Sequence, residues 1–183
     1  MLANEKKIYT YQEYLEISEN DRCEYIKSEI HMMGSPSTVH QDVVLNIAFE
    51  FKKYFKGKQC KPYVAPLDVR FIDENNNISV VQPDIFVVCD TENIKNNQYE
   101  GIPTLIVEVV SPSNSSHDYI TKLDLYAKAG VEEYWIINPM NKNAICYSFK
   151  NNMPSKVDGY HHFETIRSEV FEKLSISIKE LFE

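Results

Sequence analysis

Two stretches of this chain are apolar on both faces, where a half-buried strand would alternate. Residues 103–110 place Leu105, Val107 and Val109 on one side and Ile106 and Val110 on the other. That is the pattern of a central strand covered on both sides. Residues 80–88 form a second strand-like run, Val80-Val81-Gln82-Pro83-Asp84-Ile85-Phe86-Val87-Val88. Each run carries one charge, Glu108 in the first and Asp84 in the second. An ionised carboxylate in such surroundings is costly unless a cation or several donors compensate it.

Beyond residue 110 the period changes. Ser111-Pro112-Ser113-Asn114-Ser115-Ser116 is rich in turn and cap residues, and Ser115 or Ser116 can open a helix that carries Asp118 in its first turn. The helix is predicted to run to about Ala129 and to stop at Gly130. Ile120, Leu123 and Ala127 recur at helical spacing and are expected to pack on the sheet, with Asp118, Lys122 and Tyr126 as an adjoining polar stripe. Residues 133–137 again read as a covered strand, so strand, helix and strand predict a right-handed crossover between parallel neighbours.

The amino-terminal half supplies smaller elements. Thr10-Tyr11-Gln12-Glu13 is a capping box opening a helix through about Ile17. Residues 22–27 and 29–33 predict two strands with a tight turn at Ser28. A helix over residues 40–55 has Val43, Ile47 and Phe51 as its core stripe, with Val44 and Ala48 beside it. Two strand pieces broken at Pro66 lie within residues 61–71, residues 73–77 predict a hairpin turn, and residues 91–100 a polar loop at the rim of a site. Further on, residues 144–149 read as an edge strand, residues 160–163 and 170–174 as a strand pair, and residues 175–182 as a short amphipathic helix. The expected architecture is one α/β (α+β) domain, a mixed central sheet flanked by helices, over residues 1–183.

Composition narrows the picture. The start of the chain lacks an apolar signal core and no stretch reaches the length of a membrane span, which predicts no membrane association. Cys23, Cys60, Cys89 and Cys146 show no C-x-x-C pair, so reduced core thiols in a cytoplasmic protein are expected. The histidines show no zinc spacing. A net charge of −8 argues against general nucleic-acid binding, although charge is local and bound metal offsets part of an acid excess. Lys52, Lys53, Lys56, Lys58 and Lys61 form one basic cluster, read first as a solvated helix end and second as a phosphate track.

Asp84 and Glu108, if they converge from neighbouring strands, make a site for a hard divalent cation such as Mg²⁺ or Mn²⁺, which takes one or two carboxylates and keeps several waters. The same residues also admit a plain role, each acid capping a turn or pairing with Lys or Arg. Pro83-Asp84, Glu108-Val109-Val110, Ser111-Pro112-Ser113, Asp118, Lys122, Tyr126, Gly130 and Glu133-Tyr134-Trp135, together with Glu24, residues 32–36 and His40, resemble the Uma-two family. That family is assigned as endonucleases of the restriction-endonuclease-like, or PD-(D/E)XK, fold, and the likeness covers about residues 10–150.

The resemblance implies that Asp84 and Glu108 are the two metal-binding acids and that the Val109 carbonyl is a further ligand. Val110 stands where the superfamily has a lysine, and Lys122 on the following helix would do its work. Glu24 corresponds to an acid typical of the family, and would assist the site or remain an edge-strand charge. His40 would touch a phosphate, protonate a leaving group or make a structural hydrogen bond. The implied activity is Mg²⁺-dependent hydrolysis of DNA phosphodiester bonds, with a homodimer suited to cutting two strands. The competing expectation is a catalytically inactive scaffold or partner-binding module.

Overall fold

The computed structural model describes residues 7–111 and 117–183. The loop and helix cap read at residues 112–116 lie outside the described residues. The elements follow in order as α1 (Tyr11–Ser18), β1 (Cys23–Ile26), β2 (Glu29–Met32), α2 (Thr38–Tyr54), β3 (Lys61–Val64), β4 (Asp68–Ile72), β5 (Ile78–Val81) and β6 (Ile85–Val88). Next come β7 (Ile94–Lys95), β8 (Gln98–Glu100), β9 (Leu105–Val109), a π-helical turn (His117–Lys122), α3 (Leu123–Ala129), β10 (Glu133–Asn138) and β11 (Asn143–Lys150). The chain closes with β12 (Met153–Tyr160), β13 (Thr165–Arg167), β14 (Ser175–Ser177) and α4 (Ile178–Leu181).

Two mixed six-stranded sheets carry the fold, in the orders β2-β1-β5-β4-β8-β7 and β12-β11-β10-β9-β6-β3, and β13 pairs with β14 apart from them. β9 and β10 are parallel, in register from Leu105 opposite Glu133 to Val109 opposite Ile137. β6 runs antiparallel to β9, with Ile85 opposite Val107. β9 is buried at every residue, as a strand apolar on both faces demands. On one face Val107, Trp135 and Ile137 pack with the Val43, Ile47 and Phe51 stripe of α2; on the other, Ile106, Tyr134 and Ile136 pack with α3.

Local signals shaped the elements as expected in several places. Thr10 and Glu13 make both halves of the capping box. Lys27 and Ser28 take φ of 50° and 64°, so the first hairpin turn forms with Ser28 in a left-handed conformation that glycine adopts more readily. Gly130 ends α3 at φ 92°.

Other expectations are corrected. Residues 80–88 are two strands in different sheets, because Pro83 lacks an N–H for a ladder and the chain breaks around it. Residues 91–100 are no simple loop: they contain a 3₁₀ turn and the pair β7–β8, with Tyr99 fully buried. Residues 144–149 fall in an interior strand, since β12 covers β11 from Met153 onward. The late strand pair is β13–β14 instead of residues 160–163 and 170–174, and the final helix shortens to Ile178–Leu181.

Cys60 and Cys89 form a disulfide, which corrects the expectation of reduced thiols for that pair; Cys23 and Cys146 are free and buried. The two bridged residues follow directly from the β3–β6 register, in which Lys61 faces Val88. Among the described residues no helix is long and apolar enough to cross a membrane.

Two outcomes follow from this packing. Phe51 is fully buried and meets Trp135 edge-on at 5.6 Å between centroids. Phe51→Ala is expected to cost about 3–5 kcal/mol in urea unfolding, the range for truncating a buried aromatic. Thiol titration of the denatured, unreduced protein is expected to find two reactive cysteines, and four after reduction.

Candidate carboxylate and lysine site

Glu108 lies inside β9 and is almost fully buried. Its Oε1 accepts hydrogen bonds from Lys122 Nζ at 2.9 Å and from the Tyr126 hydroxyl at 2.8 Å. Lys122 Nζ also stands 2.9 Å from Glu24 Oε1 and 3.7 Å from Asp118 Oδ1. One buried ammonium is therefore shared by three carboxylates drawn from β1, β9 and the π-helical turn.

This arrangement corrects the expected faces of the helix in part: Ala127 is buried and Leu123 packs against the core as expected, but the polar stripe turns inward too and Ile120 turns out. Asp118, Lys122 and Tyr126 point inward and are buried, while Ile120 is 69% exposed. The magnitudes explain why Ile120 gives way. Exposing one isoleucine forfeits about 1.5–3 kcal/mol, whereas removing the partner of a buried charge costs about 3–5 kcal/mol. The π-helical turn at His117–Lys122 belongs to a class of irregular turns that recur where function constrains a helix.

Asp84 sits in the break before β6. Continuing the β6–β9 register by one step sets it opposite Glu108, and opposed side chains on antiparallel strands share a face. The Val109 N–H donates to Asp84 Oδ2 at 2.8 Å, and His40 Nε2, in the first turn of α2, lies 3.1 Å from the same oxygen. The two halves of the site are thus joined through residues 108 and 109. All seven residues singled out in the sequence (Glu24, His40, Asp84, Glu108, Asp118, Lys122 and Tyr126) come together.

Two further participants escaped sequence reasoning. Gln82 donates its backbone N–H to Glu24 Oε1 at 3.0 Å. His117 Nε2 lies 3.2 Å from Glu24 Oε2, and its ring centroid lies 4.2 Å from that of His31. Pro83 was a signal for the first, since a strand broken by proline leaves adjacent amides to other acceptors. His117 had no signal beyond standing next to Asp118.

Electrostatics follows from burial and from the excess of acids. Burial pushes Glu108 well above the usual carboxyl range; Lys122 opposes that, while Asp84, Asp118 and Glu24 add to it. Asp118 is pushed up to about 6, first by burial and then by Glu24 against the pull of Lys122. Burial works against an ionised Glu24 too, but Lys122 and the bonds from His117 and Gln82 outweigh it and hold that carboxyl at about 2. Desolvation disfavours the Lys122 ammonium, yet the surrounding acids overcome it and raise its pKa. For His40, desolvation is likewise outweighed by Asp84, and the ring pKa moves up.

The donor set can be weighed against a divalent ion. Among the described residues no three His, Cys, Asp or Glu side chains form a ready-made metal cage. Mg²⁺ needs fewer, since one or two carboxylates and retained waters suffice. Among the described residues, the bonds to Glu108 all reach Oε1 and those to Asp84 all reach Oδ2. The second oxygen of each acid and an unbalanced local charge fit a hard cation.

The raised Asp118 makes a pH prediction. Its unfolded carboxyl loses a proton near the ordinary value of 3.8 and its folded one near 6, so in that window the folded chain binds more protons and stability falls as pH rises. Urea midpoints measured from about pH 4 to 7 are expected to show this decline, to which the raised Glu108 adds with the same sign, and Asp118→Asn is expected to make it shallower. Glu24 acts at lower pH with the opposite sign, its contribution being lost as pH falls from 4.5 towards 2.

Comparison with known proteins agrees with this fold. A solved structure described as "a putative nuclease belonging to DUF820" from Anabaena variabilis is similar over 93% of this chain and 96% of its own, with a TM-score of 0.77 and 19% identity. At that identity the likeness speaks for the fold, which is the restriction-endonuclease-like one. "Uncharacterized protein slr1290" of Synechocystis is 29% identical over 152 residues, 82% of this chain and 72% of the relative. Residues 10–179 match the family model "Uma2: Putative restriction endonuclease". The chain therefore belongs to the Uma2 family of restriction-endonuclease-like proteins.

Proposed function

We propose that this chain is a metal-dependent nuclease that hydrolyses phosphodiester bonds of DNA, with Asp84, Glu108 and Lys122 at its centre. One observation carries the reading: a buried lysine shared by Glu24, Glu108 and Asp118, beside a second strand acid held by His40 and the Val109 amide. Asp84 and Glu108, with the Val109 carbonyl, are the groups that would hold Mg²⁺ or Mn²⁺. When bound, such an ion polarises a phosphoryl oxygen and lowers the pKa of a water.

The chain's own groups supply the remainder. The Val109 N–H and His40 fix the orientation of Asp84. Tyr126 and Lys122 fix Glu108 by bonding to a single oxygen. Lys122 keeps its proton and provides a fixed positive charge where negative charge gathers on a phosphoryl centre. His40, its pKa raised beside Asp84, offers a proton or a hydrogen bond at the edge of the site. Glu24, held at about 2, stays ionised and keeps Lys122 in position.

The net charge of −8 favours a different reading, a binding module that has retained the fold without the activity. Plasmid cleavage in Mg²⁺ or Mn²⁺ separates the two when wild type is compared with Asp84→Asn and Glu108→Gln. Wild type is expected to nick or linearise DNA, each variant at least about 100-fold more slowly, and the metal is expected to raise the melting temperature of wild type alone by mass action. Equal cleavage by all three proteins points to a contaminant. Absence of both cleavage and metal stabilisation leaves the binding module.

A further inference from the structure

The first and last side chains of the π-helical turn, His117 and Lys122, end on one carboxylate. His117 Nε2 lies 3.2 Å from Glu24 Oε2, and Lys122 Nζ lies 2.9 Å from Glu24 Oε1. An ionised carboxylate only accepts, so the proton between Glu24 and the imidazole sits on His117 Nε2. Among the described residues this is the single bond to Oε2, since the Gln82 amide also goes to Oε1. His31 stands opposite Glu24 in the β1–β2 register and so shares its face. Its ring backs that of His117, with the centroids 4.2 Å apart.

We propose that His117 is a positioning residue: by holding Glu24 Oε2 it sets how Lys122 is divided between Glu24 and Glu108. The inference rests on the nuclease reading, in which the Lys122 ammonium must stand beside Glu108.

The argument is one of donors and acceptors. A carboxylate bonded through one oxygen can turn about its Cγ–Cδ bond, whereas bonds to both oxygens fix its plane. Lys122 stands 2.9 Å from Glu24 and 2.9 Å from Glu108, while its third acceptor, Asp118 Oδ1, is at 3.7 Å. An ammonium has three protons to give, and here the third is poorly used. Without the imidazole, Glu24 Oε2 becomes an acceptor with no donor on a side chain only 3% exposed, where water is a poor substitute. Lys122 is the nearest group able to satisfy it. The ammonium then takes both oxygens of Glu24 and draws away from Glu108, which keeps the Tyr126 hydroxyl alone. The backbone of the turn stays seated throughout, because the Tyr134 hydroxyl donates to the Asp118 carbonyl at 3.1 Å. Losing His117 therefore displaces a charge without undoing the fold.

The test compares His117→Gln with His117→Asn in the full chain. The glutamine amide nitrogen reaches the place of Nε2 and the asparagine amide stops near that of Nδ1, so the two are alike in polarity and differ in reach. Plasmid cleavage is followed in Mn²⁺ at a temperature where both variants are folded by circular dichroism. His117→Asn is expected to lose at least about 10-fold in kcat with KM within about 2-fold, and His117→Gln to stay within about 3-fold of wild type in both. The heteronuclear NMR signal of the Lys122 ammonium, identified by its contacts with Tyr126, is expected to shift in His117→Asn and to keep its place in His117→Gln. Equal rates for the two variants, a loss carried by KM, or a Lys122 signal indifferent to His117→Asn each overturns the positioning role. A wild type that cleaves no DNA removes the nuclease reading instead. The Lys122 signal then decides the positioning role alone, a shift confined to His117→Asn supporting it and an unmoved signal overturning it.

Discussion

A single ammonium group, Lys122 Nζ, sealed beneath the second sheet, is what the rest of this structure depends on. It stands 2.9 Å from both Glu24 and Glu108, and these acids come from strands of different sheets. Remove it and two deeply buried carboxylates lose their counter-ion, a situation that costs several kcal/mol in proteins. Keep it, and three acids still compete for one cation. The first consequence explains why the helix turns its polar stripe inward; burial first, and then the second, explain why Glu108 and Asp118 resist ionisation.

The site is built at the meeting of both sheets because no single element supplies enough of it. β9 gives Glu108, the break before β6 gives Asp84, β1 gives Glu24 and the turn after β9 gives Asp118 and Lys122. α2 contributes from both of its sides. Its buried stripe seats it on β9 and β10, its first turn delivers His40 to Asp84, and its exposed stripe holds Leu45 and Phe49. One helix thus connects core packing and the orientation of a candidate metal-binding acid.

Much of this was legible in the sequence. A charge inside a strand apolar on both faces is rare enough to stand out, and Glu108 and Asp84 were found that way. Lys122 and Tyr126 were visible as a stripe, but their direction was not. Helical spacing places Ile120, Leu123 and Ala127 on one side and Asp118, Lys122 and Tyr126 on another; it cannot say which side carries the stronger demand for burial. That demand came from Glu108 and Glu24, residues distant in sequence. The Cys60–Cys89 bridge was hidden for a similar reason: the two stand 29 positions apart in sequence, and only the β3–β6 register brings them together. The division of residues 80–88 between two sheets was within reach, since Pro83 marks the break.

An acid excess around a buried lysine is consistent with a pocket that binds a divalent cation and releases protons when it does so. The most direct measurement is calorimetric titration of the protein with Mn²⁺ near pH 6, in buffers of different ionisation enthalpy. The cation-pocket reading predicts one site per chain, with proton release because Glu108 and Asp118, beside Lys122, hold protons above their ordinary range. Absence of binding, or binding that Glu108→Gln leaves unchanged, would contradict it.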